Sequence, residues 1–225
     1  SSLLNRIFNA MKFIVTILLA LSALVLQAQD KPFWKEIRNF KSQDSIQMPP
    51  KNAIVFVGSS SFRLWKDVES AFPGHVIINR GFGGSSLPHV IDYADQIVVP
   101  YKPKQVVIYC GENDFTKEGV TSEMVLDRFV TLFDLLRKEL PKAEIIYVSM
   151  KPSPSRQHLW GRIKAANEAI EAFLKTKKKT KYVNIWDAML DANGEARKEL
   201  YVQDMLHMNA SGYEIWQKAL APHLK

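Results

Sequence analysis

Cysteine is almost missing from this sequence, which has one, Cys110, among its 225 residues. A chain with one cysteine forms no internal disulfide and no thiolate metal cluster. The sequence also lacks low-complexity tracts, internal repeats, and any group of His, Asp and Glu with the spacing of metal ligands. These absences argue against disulfide-rich, zinc-binding and repeat proteins. We interpret Cys110 as a small buried hydrophobic residue on a strand.

Positive charge exceeds negative charge only modestly, since 30 Lys and Arg against 23 Asp and Glu give a formal net charge of +7. Two of the positive charges, Arg6 and Lys12, lie in an N-terminal segment that we expect to be removed. The most basic run, from Lys175 to Lys181, lacks the interleaved aromatic and arginine residues typical of nucleic-acid sites. We interpret it as the solvated end of a helix, where cations complement the helix dipole. We therefore expect no nucleic-acid partner.

No apolar run is long enough for a comfortable membrane span; the longest, Phe13–Leu26, follows a short basic start at Met11. This arrangement, with Ala28 before polar residues, is the layout of a secretory signal peptide. We expect residues 1–28 to be an N-terminal extension and signal peptide, cleaved near Ala28, and the mature protein to be periplasmic or secreted. The alternative is an uncleaved N-terminal anchor. The sequence leaves open whether residues 1–10 belong to the native protein.

The remaining chain alternates between short apolar runs and amphipathic segments. The spacing of Phe33, Ile37 and Phe40 predicts a helix over 33–43, which we expect to brace one domain of residues 29–225, the brace taking up 29–50. Buried strands are predicted at Ile54–Val57, Val76–Asn79, Gln105–Tyr109, Glu144–Met150 and Tyr182–Ile185. Helices are expected near 88–98, 126–140, 163–174 and 210–223. Such alternation predicts an α/β protein, a three-layer α/β/α sandwich around a five-stranded parallel sheet in the order 2-1-3-4-5.

Four loops meet at the carboxyl edge of such a sheet, where open α/β proteins bind their ligands. They contain Ser59–Ser61, Gly81–Ser86, Gly111–Asp114 and Asp204–His207. Together these loops supply a hydroxyl, a glycine turn, an asparagine amide, and an Asp and a His three residues apart. Acyl transfer needs such groups, because a serine hydroxyl is a weak nucleophile until an imidazole, oriented by a carboxylate, removes its proton.

The blocks V-G-S-S-S, N-R-G-F-G-G, G-E-N-D and D-M-L-H-M-N resemble, in order, the signature blocks of the SGNH (GDSL-type) hydrolase superfamily. The resemblance covers about residues 54–216 and implies a flavodoxin-like fold and an acetylhydrolase or esterase that needs no metal or other cofactor. By motif position it implies Ser60, Asp204 and His207 as catalytic residues, and Ser60, Gly84 and Asn113 as the oxyanion hole. One departure is Ser59, where the family usually has aspartate, and this loosens the choice among the three serines.

Arg156 follows the fourth predicted strand at the same edge, so it is a possible substrate contact, whereas we expect Asp114 to be structural. The short loops favour an open cleft and a small acyl group. We expect a serine esterase that hydrolyses short-chain esters, in particular acetyl esters, of carbohydrates or lipids through an acyl-enzyme. The alternative is a non-catalytic flavodoxin-like module that binds phosphate, flavin or envelope glycans. The sequence leaves open the acyl group and its carrier, transfer to water or to a sugar, and the oligomeric state.

Overall fold

The structure of this chain is a computed structural model that describes residues 6–9, 11–12 and 31–225. Most of the predicted signal peptide, and its cleavage site near Ala28, lie outside the described residues. Within those described ranges, no helix combines the length and the apolar character needed to cross a membrane.

The sheet has five strands, and each adjacent pair is parallel. They are β1 (Ile54–Gly58), β2 (Ile77–Gly81), β3 (Gln105–Tyr109), β4 (Glu144–Val148) and β5 (Thr180–Val183). Their spatial order is β2-β1-β3-β4-β5. The predicted sheet, its direction and its strand order are therefore confirmed.

Side chains of β1 alternate between two separate hydrophobic cores, because successive residues of a strand point to opposite faces. Val55 and Val57 pack in one core, and Ile54 and Phe56 pack in the other. The first core is covered by α1 (Trp34–Ile46), α4 (Leu87–Ile97), α5 (Ser122–Glu139) and α6 (Trp160–Lys175). The second is covered by α2 (Ser60–Arg63), α3 (Val68–Ala71) and α7 (Ala210–Leu220). This is the expected three-layer sandwich.

The predicted N-terminal helix is α1, and its contacts explain why β2 extends beyond its predicted end. Ile37 of α1 is fully buried. Asp44 accepts a hydrogen bond of 2.6 Å from Arg80, which also donates to the Tyr101 hydroxyl at 2.8 Å. With its charge paired in this way, Arg80 is buried within β2, and the strand continues to Gly81. The prediction that this strand ends at Asn79 was wrong.

Two other strand boundaries differ from the prediction because asparagine side chains bond to the backbone there. The Asn167 side chain accepts from the Met150 N–H at 2.9 Å and donates to its carbonyl at 3.0 Å, so β4 ends before Met150. At the last strand, Asn184 Oδ1 accepts from the Trp186 N–H at 2.9 Å and closes a turn. The strand therefore occupies Thr180–Val183 rather than Tyr182–Ile185.

Candidate active site

The nucleophile turn begins where β1 meets the end of β3. Gly58 has φ +141°, and a Cβ at this position would lie 1.9 Å from the Tyr109 carbonyl oxygen. Glycine permits this close approach, and the Ser59 N–H then donates to the Tyr109 carbonyl at 3.0 Å. Ser60, the next residue, is the first residue of α2. The serine is thus placed at the carboxyl edge of the two central strands.

Helix α2 is held rigidly although it has only four residues. Phe62 and Trp65, which follow Ser60, are buried in the second core. The hydroxyl of Tyr213 donates to the Ser61 carbonyl, and the Asn79 amide donates to the Phe62 carbonyl, both at 2.7 Å. The Tyr213 hydroxyl from α7 therefore satisfies a carbonyl that such a short helix leaves unpaired, and Asn79 from β2 adds a second donor to the Phe62 carbonyl, which also accepts from the Trp65 N–H at 3.1 Å.

His207 joins Ser60 to Asp204 in one hydrogen-bonded chain. Its Nε2 lies 3.1 Å from Ser60 Oγ, and its Nδ1 lies 2.6 Å from Asp204 Oδ2. A carboxylate only accepts hydrogen bonds, so Nδ1 carries the proton and Nε2 is the acceptor that faces the serine hydroxyl. The structure therefore brings together the three residues that the sequence motifs predict as nucleophile, base and orienting acid.

The loop that carries His207 also fixes the charge of Asp204. The other carboxylate oxygen, Oδ1, accepts from the N–H groups of Leu206 and His207, both at 2.9 Å. Burial acts to raise the pKa of Asp204, but the hydrogen bonds from His207 and Leu206 outweigh it and lower the pKa to about 2. Asp204 is therefore ionised near neutral pH, as a residue that orients an imidazole must be.

Two backbone N–H groups at this edge are available to a ligand. Within the described residues, the N–H groups of Ser60 and Gly84 have no hydrogen-bond acceptor. Gly84 is exposed and has φ +77°, a conformation that side chains disfavour. A Cβ there would come no closer than 3.9 Å to Phe33, so backbone conformation, rather than crowding inside the fold, requires this glycine.

Asn113 is held by partners on both sides of its carboxamide. Its Nδ2 donates to the Ser85 carbonyl, and its Oδ1 accepts from Arg156 Nη2, both at 2.9 Å. An amide nitrogen has two N–H groups, so one remains for a ligand. The structure thus places Arg156, the predicted substrate contact, directly against the predicted oxyanion-hole asparagine.

A buried polar network behind Asn113 was missed in the sequence, where its members lie on separate loops. Glu112 is 3 % exposed and accepts from the Tyr109 hydroxyl at 2.6 Å, and from Lys151 and Ser153 at 2.8 Å each. Arg156 Nη1 lies 3.1 Å from the same carboxylate. Burial acts to raise the pKa of Glu112, but Lys151 and Arg156 hold it below its ordinary value. Burial lowers the pKa of Lys151, against the opposing effect of Glu112.

Asp114 and Cys110 lie at the same sheet edge and are buried, as expected for Cys110, although that residue follows the end of β3 rather than lying on the strand. Asp114 is buried, accepts from the Leu87 N–H at 2.9 Å and pairs with Arg128 at 2.7 Å, which ties this loop to the start of α4. Cys110 is buried, and burial raises its pKa well above the ordinary value, so it remains a thiol. In the described part of the chain, no cluster of three or more His, Cys, Asp or Glu is arranged to hold a metal.

An open hollow of about 640 Å³ lies beside the site. Arg156, which contacts Asn113, forms part of its wall. Other wall residues include Phe115, Lys117, His158 and Arg162. Its wall therefore combines basic side chains with the acidic Glu118 and with the apolar Phe115 and Leu159, and it adjoins the candidate oxyanion hole.

Comparisons with protein-family models and with known proteins identify similar sequences and similar folds. The sequence model of the GDSL-like lipase/acylhydrolase family matches residues 56–215, which include every residue of the predicted site. No curated protein matches this chain significantly.

Many solved structures share the fold. One is a Streptococcus pneumonia protein described as a candidate platelet activating factor, with TM-score 0.75, 22 % identity, and coverage of 94 % of this chain and 99 % of that one. Another is a GDSL-like lipase from Bacteroides thetaiotaomicron, with TM-score 0.71, 21 % identity, and coverage of 83 % and 95 %. A third, an acetyl-xylooligosaccharide esterase from Geobacillus Stearmophilus, has TM-score 0.61, 14 % identity, and coverage of 77 % and 94 %.

Proposed function

Because this chain belongs to the GDSL-like lipase/acylhydrolase family and is an ester-hydrolysing serine hydrolase, we propose that Ser60 is its nucleophile. The observation that carries the proposal is the chain of hydrogen bonds from Asp204 through His207 to Ser60. The substrates that we propose are short-chain esters, in particular acetyl esters, of carbohydrates or lipids.

The geometry supports a two-step reaction through an acyl-enzyme. His207 Nε2 removes the Ser60 proton as Oγ attacks the ester carbonyl carbon, and the carbonyl oxygen gains negative charge. The N–H groups of Ser60 and Gly84 and the free N–H of Asn113 stabilise this oxyanion, each donor lowering the barrier by about 3–4 kcal/mol. His207 then gives its proton to the departing alcohol oxygen, and water repeats the sequence to release the acid.

The proposed substrate class is supported by the surroundings of Ser60. Gly84 is exposed and the neighbouring hollow is open, which suits a bulky carrier better than a buried acyl chain. The basic side chains of its wall offer hydrogen-bond donors to the hydroxyl groups of a saccharide or to a polar lipid headgroup. The structural relationship to an acetyl-xylooligosaccharide esterase is in line with an acetyl donor.

Steady-state hydrolysis of p-nitrophenyl acetate tests the assignment. We expect Ser60→Ala and His207→Ala each to lose nearly all of the wild-type kcat, while Ser59→Ala keeps most of it. A fluorophosphonate probe should label the wild type and not the Ser60→Ala variant. Full activity or labelling of Ser60→Ala would move the nucleophile to another serine. A panel of acetylated saccharides and short-chain lipid esters then identifies the carrier.

Labelling by the fluorophosphonate probe also tests the alternative that this chain is a non-catalytic binding module. A phosphate- or flavin-binding module gives no role to the hydrogen bond between His207 and Ser60. An unlabelled protein that carries bound flavin or phosphate would therefore support that alternative and contradict the proposed esterase.

We propose that the enzyme acts in the periplasm or outside the cell. The support is the sequence of residues 11–28, with its basic start, its apolar run and Ala28. Mass spectrometry of the mature protein from cells should find an N-terminus near Gln29. A chain that still begins before Phe13 would contradict cleavage.

A further inference from the structure

We infer that Arg156 is a positioning residue, which orients the Asn113 carboxamide so that an N–H faces the oxyanion. This inference rests on the proposed function, because it assigns a role within the same oxyanion hole. It differs from a substrate contact, since Arg156 acts here through Asn113 rather than on the substrate.

The chemistry of the two neighbours determines the orientation of the Asn113 amide. A backbone carbonyl only accepts hydrogen bonds, so Ser85 requires an N–H group from Asn113. A guanidinium only donates, so Arg156 requires the amide oxygen. If the amide rotated by half a turn, oxygen would face the Ser85 carbonyl and N–H groups would face the arginine. With both partners in place, only one orientation is satisfied.

Arg156 is itself held in place by Glu112. Its Nη1 lies 3.1 Å from Glu112 Oε1, while its Nη2 reaches Asn113, so one planar fork spans two acceptors. Glu112 is buried, and its carboxylate is also fixed by Lys151 and Ser153. The arginine side chain is 15 % exposed, so water competes little for its donors. The Asn113 amide is thus coupled to the rigid core through one side chain.

Removal of Arg156 leaves the rest of this network intact. Glu112 keeps the ion pair with Lys151 and the hydrogen bonds from Tyr109 and Ser153. We therefore expect Arg156→Ala to fold, with an Asn113 amide that loses its acceptor-side partner and rotates more freely. Arg156→Lys keeps a charge near Glu112 but has one nitrogen for two acceptors, so it provides a second variant should the alanine variant be unstable.

A double-mutant cycle on p-nitrophenyl acetate separates positioning from substrate contact. We expect Asn113→Ala to lower kcat by roughly 10²-fold, and Arg156→Ala to lower it by about 10-fold or more with KM changed less than about twofold. In the Asn113→Ala background, Arg156→Ala should lower kcat by less than about twofold further. Arg156→Lys should fall between wild type and Arg156→Ala. The matched control is Arg197→Ala, which removes an arginine that pairs with Glu199 and lines neither the hollow nor the oxyanion hole, and it should keep the wild-type kcat.

Multiplicative losses in the cycle, an effect on KM alone, or an unchanged kcat in Arg156→Ala would overturn the inference. A readout independent of catalysis is the side-chain ¹⁵NH₂ resonance of Asn113, assigned by its loss in Asn113→Ala. It should shift and broaden in Arg156→Ala and stay unchanged in Arg197→Ala; no change in Arg156→Ala also overturns the inference. Failure of the proposed function gives a different result. If turnover does not depend on Ser60, the kcat comparison no longer tests the role of Arg156, while the Asn113 resonance still reports the environment of that amide.

Discussion

Replacement of Lys151 by methionine should destabilise the fold strongly although it changes a single side chain. Lys151 and Glu112 are both nearly fully buried, with 2.8 Å between Nζ and Oε2. Removing one partner of a buried ion pair generally costs about 3–5 kcal/mol, because the other charge is left without compensation. Here Arg156, Tyr109 and Ser153 still contact Glu112, so we expect the lower end, about 3 kcal/mol. For a chain of this length that corresponds to a fall in Tm of roughly 6–12 °C.

Urea unfolding of three variants measures this effect. Lys151→Met alone should lose about 3 kcal/mol, whereas Lys151→Met with Glu112→Gln should lose only about 1 kcal/mol, because no unpaired charge remains. Lys175→Met is the matched control: its pair with Glu171 is exposed, so it should lose no more than about 0.5 kcal/mol. A loss below about 1 kcal/mol in Lys151→Met, or a double variant less stable than either single variant, would refute the reasoning.

The pH dependence of the same comparison has a definite sign. Lys151 helps to hold the pKa of Glu112 below its ordinary value of 4.5, so the stabilisation from this group is present above about pH 4.5 and is lost as the pH falls. In Lys151→Met, protonation of the buried carboxyl instead relieves the unpaired charge. The stability difference between wild type and variant should therefore narrow below about pH 4.5.

Three further predictions concern the loop before α7. Asp204→Asn should lower kcat by roughly 10⁴-fold at pH 7, because the imidazole loses the partner that fixes its tautomer. The lowered pKa of Asp204, about 2, also means that its ion pair with His207 stabilises the fold above about pH 4 and that this stabilisation is lost as the pH falls towards 2. Because the pair is exposed, the loss should be at most ~1 kcal/mol in the free energy of unfolding, measured by urea unfolding over that pH range. Asn209→Ala should lose about 1 kcal/mol in the same assay, because the Asn209 side chain caps α7 through the Gly212 N–H; no change would mean that another group caps the helix.

The sheet was predictable from the sequence because β1, β3 and β4 are buried on both faces and β2 nearly so, although β5 exposes Lys181. Runs such as Ile54–Val57 and Gln105–Tyr109 are apolar and rich in β-branched residues, which few other structures accommodate. Two boundary errors, at β2 and β4, arose where a partner distant in sequence changed the environment of a residue, whereas the error at β5 arose from the local turn at Asn184. The charge of Arg80 predicts that the strand ends before it, but Asp44, 36 positions earlier, pairs with this charge and allows the residue to be buried. Met150 has the apolar side chain of a strand residue, but the Asn167 side chain forms hydrogen bonds with its backbone N–H and carbonyl.

The site was predictable to a different extent. Three motifs follow β1, β2 and β3, and parallel strands place their carboxyl ends together, so Ser60 and Asn113 were expected at one edge, with His207 brought there by the loop before α7. The network around Glu112 was not foreseeable, because a buried glutamate and lysine in surface-like loops have no local pattern that reveals their pairing. Only the fold shows that the loop with Lys151 and Arg156 lies against the G-E-N-D loop.

The acid and the base of this site lie on one loop, and the nucleophile lies on a separate turn. Asp204 and His207 share a loop closed by hydrogen bonds from the Val202 N–H to the His207 carbonyl and from the Met205 N–H to the Val202 carbonyl. Displacement of that loop would carry both residues together and break the contact with Ser60, along with the hydrogen bond from the Ser155 N–H to the Met205 carbonyl. The strongly deshielded proton between imidazole and carboxylate should then persist in inactive variants, so its NMR signal reports an assembled pair rather than a working enzyme.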